Sequence, residues 1–203
     1  NYIINMEKVK FKRMDMGSPE EYEFLHEKEV QFTKELPDRL MLALNNLKNS
    51  LPGYEITRLD HSLQTATRAE NDNADIELIV ASLIHDLGDD LAPANHSQLA
   101  STIIRPYVRE EVTWIIKMHG VFQLHYFGPE DYDGKSIGID KNLRDMFKDH
   151  KWYASCDKFC RDWDQLSFDP DYPTKPLSYF EPKLREVFTR VPFDPKYVEN
   201  PEF

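Results

Sequence analysis

The stretch "LIVASLIHDLGDD", residues 78–90, decides the fold and raises the functional question. Residues 78–87 are nearly all apolar, which is typical of a buried helix. His85 and Asp86 nevertheless stand side by side near the expected end of this helix at Gly88. Buried imidazole and carboxylate groups are costly unless a partner compensates them. The stretch therefore predicts a core helix that carries a polar site.

The remainder of the chain predicts an all-α fold. It has only 7 glycines among 203 residues and several long patterns of helical periodicity, as expected of a helical bundle with its site in the core. We expect one domain over residues 1–203, with N-terminal helices at 19–50 and a metal-binding core at 54–168. A Pro-rich segment at 169–203 follows, and residues 1–17 have no assigned role.

Capping and turn residues give the expected boundaries. Ser18 and Pro19 begin the first helix, and "LPGY" at 51–54 forms a turn. The segment 128–140 is expected to be a surface loop, and the last helix is expected near "LREVFTR" at 184–190. The tail after it is expected to be extended because of its prolines, Pro192, Pro195 and Pro201.

Charge and cysteine content narrow the function classes. The formal net charge of -11 argues against a nucleic-acid partner, which normally requires a basic surface. No apolar run approaches the length of about 18 residues that a membrane span needs. The two cysteines, Cys156 and Cys160, are four apart in a helical pattern, so a reducing compartment, the cytoplasm, is expected. The sequence leaves open whether the protein is a monomer or a homodimer.

Histidines and aspartates recur within or at the ends of the central helices. The set comprises His61, His85, Asp86, His96, His119 and Asp164. In a bundle, side chains from facing helices converge on a metal site in the core, and imidazole with carboxylate suits iron, manganese or zinc. A lone buried histidine is more often a hydrogen-bonded core residue, but an ordered set of six favours metal binding. His26, His125 and His150 are expected at the surface or in supporting positions.

The spacing of these residues resembles the HD-domain superfamily. His61 in "DHSLQTA" is followed 24 residues later by His85 in "HDLGD". The two further histidines before Asp164 resemble the diiron branch of that superfamily, over residues 54–165. This branch includes myo-inositol oxygenase and small oxygenases that cleave the C–P bond of 1-hydroxyphosphonates. The resemblance implies that His61, His85, Asp86 and Asp164 hold one iron, that Asp86 bridges, and that His96 and His119 hold the second.

The resemblance also implies an activity. It implies an O2-dependent oxygenase with two irons, Fe(II) and Fe(III), and with O2 as co-substrate. Its segments are most similar to those of oxygenases that convert (R)-1-hydroxy-2-(trimethylamino)ethylphosphonate to glycine betaine and phosphate. The head group is not fixed by the sequence. An HD phosphohydrolase acting on a nucleotide or phosphate monoester is the alternative, and a binding module without turnover is a third reading that the intact ligand set disfavours.

Candidate substrate contacts follow from the same resemblance. Arg161, three residues before Asp164, is expected to share its helix face and to bind a phosphonate, unless it pairs with Asp157 one turn earlier. Gln123 follows His119 by one turn, where relatives place a polar or basic substrate contact.

Three more candidates lie near the ends of the predicted core helices. Asp89 is expected to meet a cationic head group, and Tyr54 and Arg58 to cover or contact the ligand shell. Asp60 is expected to be a supporting or exposed residue. An aromatic-lined pocket for a quaternary ammonium is a further hypothesis, although aromatic residues at such spacing are more often core. The candidates are Phe122, Tyr126, Phe127, Trp152, Tyr153, Trp163 and Phe168.

Overall fold

Eight α-helices make up most of the regular structure in the computed structural model, which describes residues 7–197. They are α1 (Pro19–Lys34), α2 (Leu36–Asn46), α3 (Arg58–Asn71), α4 (Ile76–Ile84), α5 (His96–Ile104), α6 (Glu110–Gln123), α7 (Tyr153–Lys158) and α8 (Leu177–Phe188). No β-strand occurs within this described range, and the predicted all-α fold is confirmed. None of the helices described in it has the length and apolarity needed to cross a membrane.

Two reciprocal capping boxes set the starts of α1 and α3. The Ser18 hydroxyl accepts from the Glu21 amide, and the Glu21 carboxylate accepts from the Ser18 amide. At α3, the Thr57 amide and hydroxyl both donate to the Asp60 carboxylate, at 3.0 and 2.7 Å. Such pairs satisfy amides that the first helical turn leaves without partners. Asp60 is therefore a capping residue.

The core forms where the helices pack in pairs. α3 packs against α4, α5 against α6, and α8 covers α2 and α4. Leu44, Ile84, Ile104 and Phe122 are fully buried in this core. Burial of each such side chain stabilises the fold by about 1.5–3 kcal/mol relative to exposure. This packing fixes the backbone from which the polar site projects.

The helix that carries the opening stretch is shorter than predicted. α4 ends at Ile84, not at Gly88, and residues 85–91 form successive turns. The amides of Leu87 and Asp89 donate to carbonyls three residues earlier, both at 3.0 Å. These tighter turns release His85 and Asp86 from the helical repeat, so that both side chains can point to one place.

The C-terminal helix is longer than predicted. α8 begins at Leu177 rather than near residue 184, and Pro182 lies inside it. A proline in a helix removes one backbone hydrogen bond, and the buried face of α8 offsets that loss. Beyond α8 the chain forms turns, with the Tyr197 amide donating to Asp194 at 2.8 Å, so the expectation of an extended tail is wrong here. Pro201 lies outside the described residues.

The helix predicted around the two cysteines changes its winding. α7 is followed by a π-helical turn, Phe159–Asp164. A π-helical turn has hydrogen bonds from residue i to i+5, and it is frequent at functional sites. Cys156 and Cys160 are both buried and free. The wider turn changes which side chains of this segment share a face, and Asp164 lies at its end.

Candidate metal centre

The six side chains predicted as metal ligands come together in the middle of the bundle. His61 comes from α3, His119 from α6 and Asp164 from the π-helical turn. His85 and Asp86 come from the turns after α4. These five are buried, whereas the side chain of the sixth, His96 at the start of α5, is 26% exposed. The cluster is thus closed on most sides and open near α5.

Three of these residues form what we call the inner set: His61, His85 and Asp164. The Nε2 atoms of His61 and His85 are 3.1 Å apart. Asp164 Oδ1 lies 3.2 Å from His61 Nε2 and 3.6 Å from His85 Nε2. The three ligand atoms therefore surround a single point in the core, at spacings suited to one ion.

His96 and His119 form what we call the outer pair, and Asp86 lies between it and the inner set. Asp86 Oδ2 is 3.2 Å from the Nε2 atoms of both His61 and His85. Asp86 Oδ1 is 3.3 Å from His119 Nε2 and 3.4 Å from His96 Nε2. One carboxylate thus presents an oxygen to each group of histidines, which is the arrangement of a bridging ligand.

Backbone carbonyls fix the orientation of three imidazoles. The Nδ1 atoms lie within hydrogen-bond distance of carbonyl oxygens: His61 of Ser167 at 2.8 Å, His85 of Ser82 at 2.8 Å and His119 of Ile116 at 2.7 Å. A neutral imidazole that donates from Nδ1 keeps an unprotonated Nε2, the form that binds metals. The Nε2 atoms of His61 and His85 then face each other as acceptors without a donor, and a cation between them resolves this conflict.

The donor set fits a divalent transition metal. Two ligand atoms at right angles, each about 2.1 Å from an ion, lie about 3.0 Å apart. The measured spacings of 3.1 to 3.6 Å are close to that value. Asp164 Oδ2 is buried and has no hydrogen-bond partner, an expensive state for a carboxylate oxygen that a cation would relieve. Imidazole with carboxylate suits iron, manganese or zinc.

Without a metal, protons take the place of the cation. Burial by itself would lower the pKa of His85, but the charge of Asp86 and the hydrogen bond with Asp164 raise it to about 10. The same two carboxylates outweigh burial at His61 and raise its pKa as well. Burial would raise the pKa of Asp86, but the neighbouring His85 charge and imidazole hydrogen bonds hold it well below its usual value. The cluster has a strong affinity for positive charge.

Two glycines let the outer pair approach the rest of the cluster. A Cβ atom at Gly88 would lie 2.7 Å from the His96 carbonyl oxygen and 2.9 Å from its Cα. A Cβ atom at Gly120 would lie 2.6 Å from Ser97 Oγ and 3.8 Å from the His96 ring. A side chain at Gly88 would displace the His96 backbone at the start of α5, and one at Gly120 would push against the Ser97 hydroxyl. Sequence reasoning used Gly88 only as a helix end and overlooked Gly120, although it directly follows a predicted ligand.

Arg58 and Asp89, both predicted as substrate contacts, pair with each other. Arg58 Nη2 pairs with Asp86 Oδ2, and Arg58 Nε donates to Asp89 Oδ2 at 2.7 Å. The side chains of Arg58 and Asp89 are each 11% exposed. Arg58 thus contacts the ligand shell, one of the roles expected of it. The Asp89 carboxylate has a guanidinium partner already, and its contact with a substrate cation stays a prediction.

The two other candidates near the cluster retain open polar or aromatic surface. Gln123 is half-buried one turn after His119, and its Oε1 is buried without a hydrogen-bond partner. The Tyr54 ring is half-exposed and lies 5.1 Å from the ring of Phe168, which stacks on His61 at 4.4 Å. Phe168 therefore borders the site, whereas Phe122 and Trp163 belong to the core.

The prediction that Arg161 shares a face with Asp164 is wrong. Asp164 is buried, while the Arg161 side chain is 50% exposed and pairs with Asp157 at 3.0 Å and Asp162 at 2.7 Å. Both Arg161 and Asp164 lie in the π-helical turn, whose wider winding separates residues three apart. The ion-pair alternative is the observed one, and the phosphonate contact of Arg161 stays a prediction.

The remaining histidines lie outside the cluster, as expected. His26 is exposed on α1, His125 Nδ1 is 3.3 Å from the Lys141 carbonyl, and His150 stacks on Trp114 at 3.9 Å. A cleft of about 960 Å³ lies beneath the segment 128–142, but none of the six predicted ligands lines it. The bridging geometry of Asp86, not this cleft, therefore identifies the chemical site.

Comparison with known protein families agrees with the geometry. The model of the HD domain matches residues 58–167, just over half of the 203-residue chain. This chain belongs to the HD-domain family. The matched region of the HD domain contains all six predicted ligands, and with the buried His/Asp cluster it indicates a metal-dependent HD-type enzyme. No curated protein gives a significant match to the chain.

Proposed function

We propose that this HD domain is an O2-dependent diiron oxygenase that cleaves the C–P bond of a 1-hydroxyphosphonate. The proposed substrate is (R)-1-hydroxy-2-(trimethylamino)ethylphosphonate, and the products are glycine betaine and phosphate. One O2 is consumed for each phosphate released, both oxygen atoms enter the products, and one proton is liberated. No external reductant is needed, because the four electrons that O2 accepts come from breaking the C–H and C–P bonds.

The two-sided position of Asp86 is the observation that supports two cations. Its Oδ2 faces the inner set and its Oδ1 faces the outer pair, with all four contacts between 3.2 and 3.4 Å. A site for a single ion has no use for His96 and His119 around the second oxygen. In the proposal, His61, His85 and Asp164 hold one iron, His96 and His119 hold the other, and Asp86 bridges them.

The protein's own groups would bind and orient the substrate. When bound, the iron pair would supply Lewis acidity toward substrate oxygens and the redox centre at which O2 reacts. Arg58 is the buried cation nearest to Asp86, and its fork of N–H donors suits a phosphonate. Gln123 offers a buried acceptor without a partner for a hydroxyl group. The exposed edge at His96 is the side from which substrate would enter.

The aromatic residues next to His61 would favour a quaternary ammonium head group. Such a cation has no hydrogens to donate and is attracted to aromatic faces. Tyr54 keeps half of its surface exposed, and Phe168 lies between it and His61. We propose Tyr54 as the aromatic face that meets the head group, with Phe168 holding Tyr54 in place.

A metal-dependent phosphohydrolase is the second candidate. The inner set with Asp86 already makes a complete four-ligand site for one ion, which could activate a water molecule. On this reading one ion at the inner set would suffice, and a binuclear phosphohydrolase would use the outer pair as well. The two candidates therefore differ most clearly in their need for O2.

The decisive experiment incubates the iron-loaded protein with 1-hydroxyphosphonates that carry trimethylammonium, amino or no head group. The proposal expects phosphate release that is matched by equal O2 uptake, close to two irons per chain, and a mixed-valent EPR signal that substrate alters. Anaerobic samples should release no phosphate. Phosphate release from phosphate monoesters or nucleotides without O2 would instead establish the hydrolase.

A further inference from the structure

His96 differs from the other three histidines of the cluster in what holds its ring. His61, His85 and His119 each have Nδ1 within 2.8 Å of a backbone carbonyl, which the surrounding helices keep in place. His96 Nδ1 instead faces a side chain, with Asp89 Oδ1 at 3.7 Å. A small rotation of the imidazole would bring that pair into hydrogen-bond distance. The His96 ring thus faces a side-chain carboxylate rather than a backbone carbonyl.

Asp89 is held in turn by Arg58. Arg58 Nε donates to Asp89 Oδ2 at 2.7 Å, which leaves Asp89 Oδ1 directed toward His96. The other end of the same guanidinium pairs with Asp86 Oδ2. One arginine therefore joins the bridging carboxylate to the carboxylate behind His96. Its pairing also gives Asp89, whose side chain is only 11% exposed, a cationic partner.

The two nitrogens of His96 face opposite carboxylates. Nε2 lies 3.4 Å from Asp86 Oδ1, and Nδ1 lies 3.7 Å from Asp89 Oδ1. An ion held between His96 Nε2 and Asp86 Oδ1 would thus lie across the imidazole ring from the Asp89 Oδ1 contact, although Asp86, Asp89 and His96 also lie close enough together to hold an ion themselves. Gly88 lies against the His96 backbone, and Gly120 lies against the Ser97 side chain.

We propose that Asp89, held by Arg58, is a positioning residue that orients His96 and thereby sets the affinity of the outer cation position. The inference rests on the two-cation arrangement of the proposed function, but not on its reaction. A carboxylate behind a metal-binding histidine fixes the ring and raises its basicity, and loss of such a partner weakens metal binding about 10–100-fold. The inner set, anchored by carbonyls, has no such dependence.

The test measures Co²⁺ binding by the full chain, without substrate or O2, through visible absorption and equilibrium dialysis. The wild type should bind two ions in two affinity classes. Asp89→Ala should weaken the weaker class about 10–100-fold and leave the tighter class unchanged. Asp89→Asn retains an acceptor oxygen for His96 and should lose less. Asp90→Asn, the same charge change at the exposed neighbouring residue, should have no effect.

Several outcomes would overturn the proposal. One is a single Co²⁺ per wild-type chain, and another is unchanged binding of the weaker class in Asp89→Ala. Equal losses in Asp89→Ala and Asp89→Asn would mean that charge alone matters, and equal weakening of both classes would mean a general structural defect. Because no turnover is measured, a protein that binds two ions in this manner but lacks oxygenase activity would refute the proposed function alone.

Discussion

The histidines of the inner set and of the outer pair contact the same carboxylate, Asp86, but they differ in burial and in what orients their rings. His61, His85 and Asp164 are buried, and carbonyls from the rigid core orient both of these histidines. In the outer pair, His119 is anchored in the same way, whereas His96 is partly exposed and depends on Asp89. Burial and backbone anchoring favour permanent binding of one ion, and exposure favours exchange and access at the other. We therefore expect the inner ion to be retained and the outer ion to be the one that substrate and O2 can reach.

The largest effect is expected from removing a ligand of the inner set. His85→Ala should abolish binding of both ions and all turnover, because Asp86 and Asp164 would each lose one of the two inner imidazoles that they contact. Leaving two buried carboxylates with fewer partners should also cost about 3–5 kcal/mol of unfolding free energy. Elemental analysis and thermal unfolding measure both effects, with His26→Ala on exposed α1 as the control. If the variant still binds two ions, His85 is not a metal ligand.

Removal of one member of the outer pair should be more selective. His119→Ala should lose one ion of two and all oxygenase activity while leaving the inner ion and the helical fold in place. The reason is that His119 contacts Asp86 Oδ1, whereas the inner set surrounds Oδ2. Iron content, circular dichroism and O2 uptake measure these outcomes. Full iron and full turnover would contradict the assignment, and retained phosphatase activity would favour the hydrolase.

Shifting the outer pair without substituting a ligand residue should test whether the inner and outer ions bind independently. Gly88→Ala would bring a Cβ atom to 2.7 Å from the His96 carbonyl, so the backbone at the start of α5 must shift. We expect about 10–100-fold weaker binding of the outer ion and little change at the inner ion. The control is Gly17→Ala, whose added Cβ would lie 2.7 Å from the Tyr22 ring, before the start of α1 and away from the six predicted ligands in sequence. Equal weakening of both ions would refute this separation.

Acid should weaken metal binding, because each ion displaces protons. The pKa of His85 rises from 6.5 to about 10 when the protein folds without metal, so its imidazolium stabilises the metal-free fold fully below 6.5 and that contribution disappears as pH rises through 10. Asp86 has a lowered pKa, and its contribution is lost as pH falls. Between pH 6.5 and 9, affinity for the inner ion should rise about tenfold per unit for each displaced proton.

Calorimetry in buffers of different ionisation enthalpy gives the number of protons released at each ion. Release of at least one proton with the inner ion is expected at pH 7.5. An affinity for the inner ion that does not change with pH would show that the metal-free cluster holds no displaceable proton.

The sequence predicted the ligands better than their surroundings. Histidine and aspartate at helix ends inside apolar segments are visible in the sequence, and all six converge. The carbonyls of Ser82, Ile116 and Ser167 were not predictable, because any residue type provides a carbonyl. The π-helical turn was missed as well, since helical periodicity assumes a constant winding. Helices were predicted well in the core. The start of α8 was predicted poorly, because packing of its buried face outweighs the tendency of Pro182 to break a helix.

The smallest effect is expected at Arg161, for which the sequence predicts either a phosphonate contact or an ion pair with Asp157. Its guanidinium pairs with Asp157 and Asp162 while half-exposed, and exposed ion pairs contribute about 0–1 kcal/mol. Arg161→Ala should leave metal content and substrate affinity unchanged. Arg58→Met, which removes a buried guanidinium next to Asp86, should instead raise the KM for the phosphonate at least tenfold. Steady-state kinetics on both variants compare the two arginines, and a larger loss for Arg161→Ala would support the phosphonate contact first predicted for Arg161.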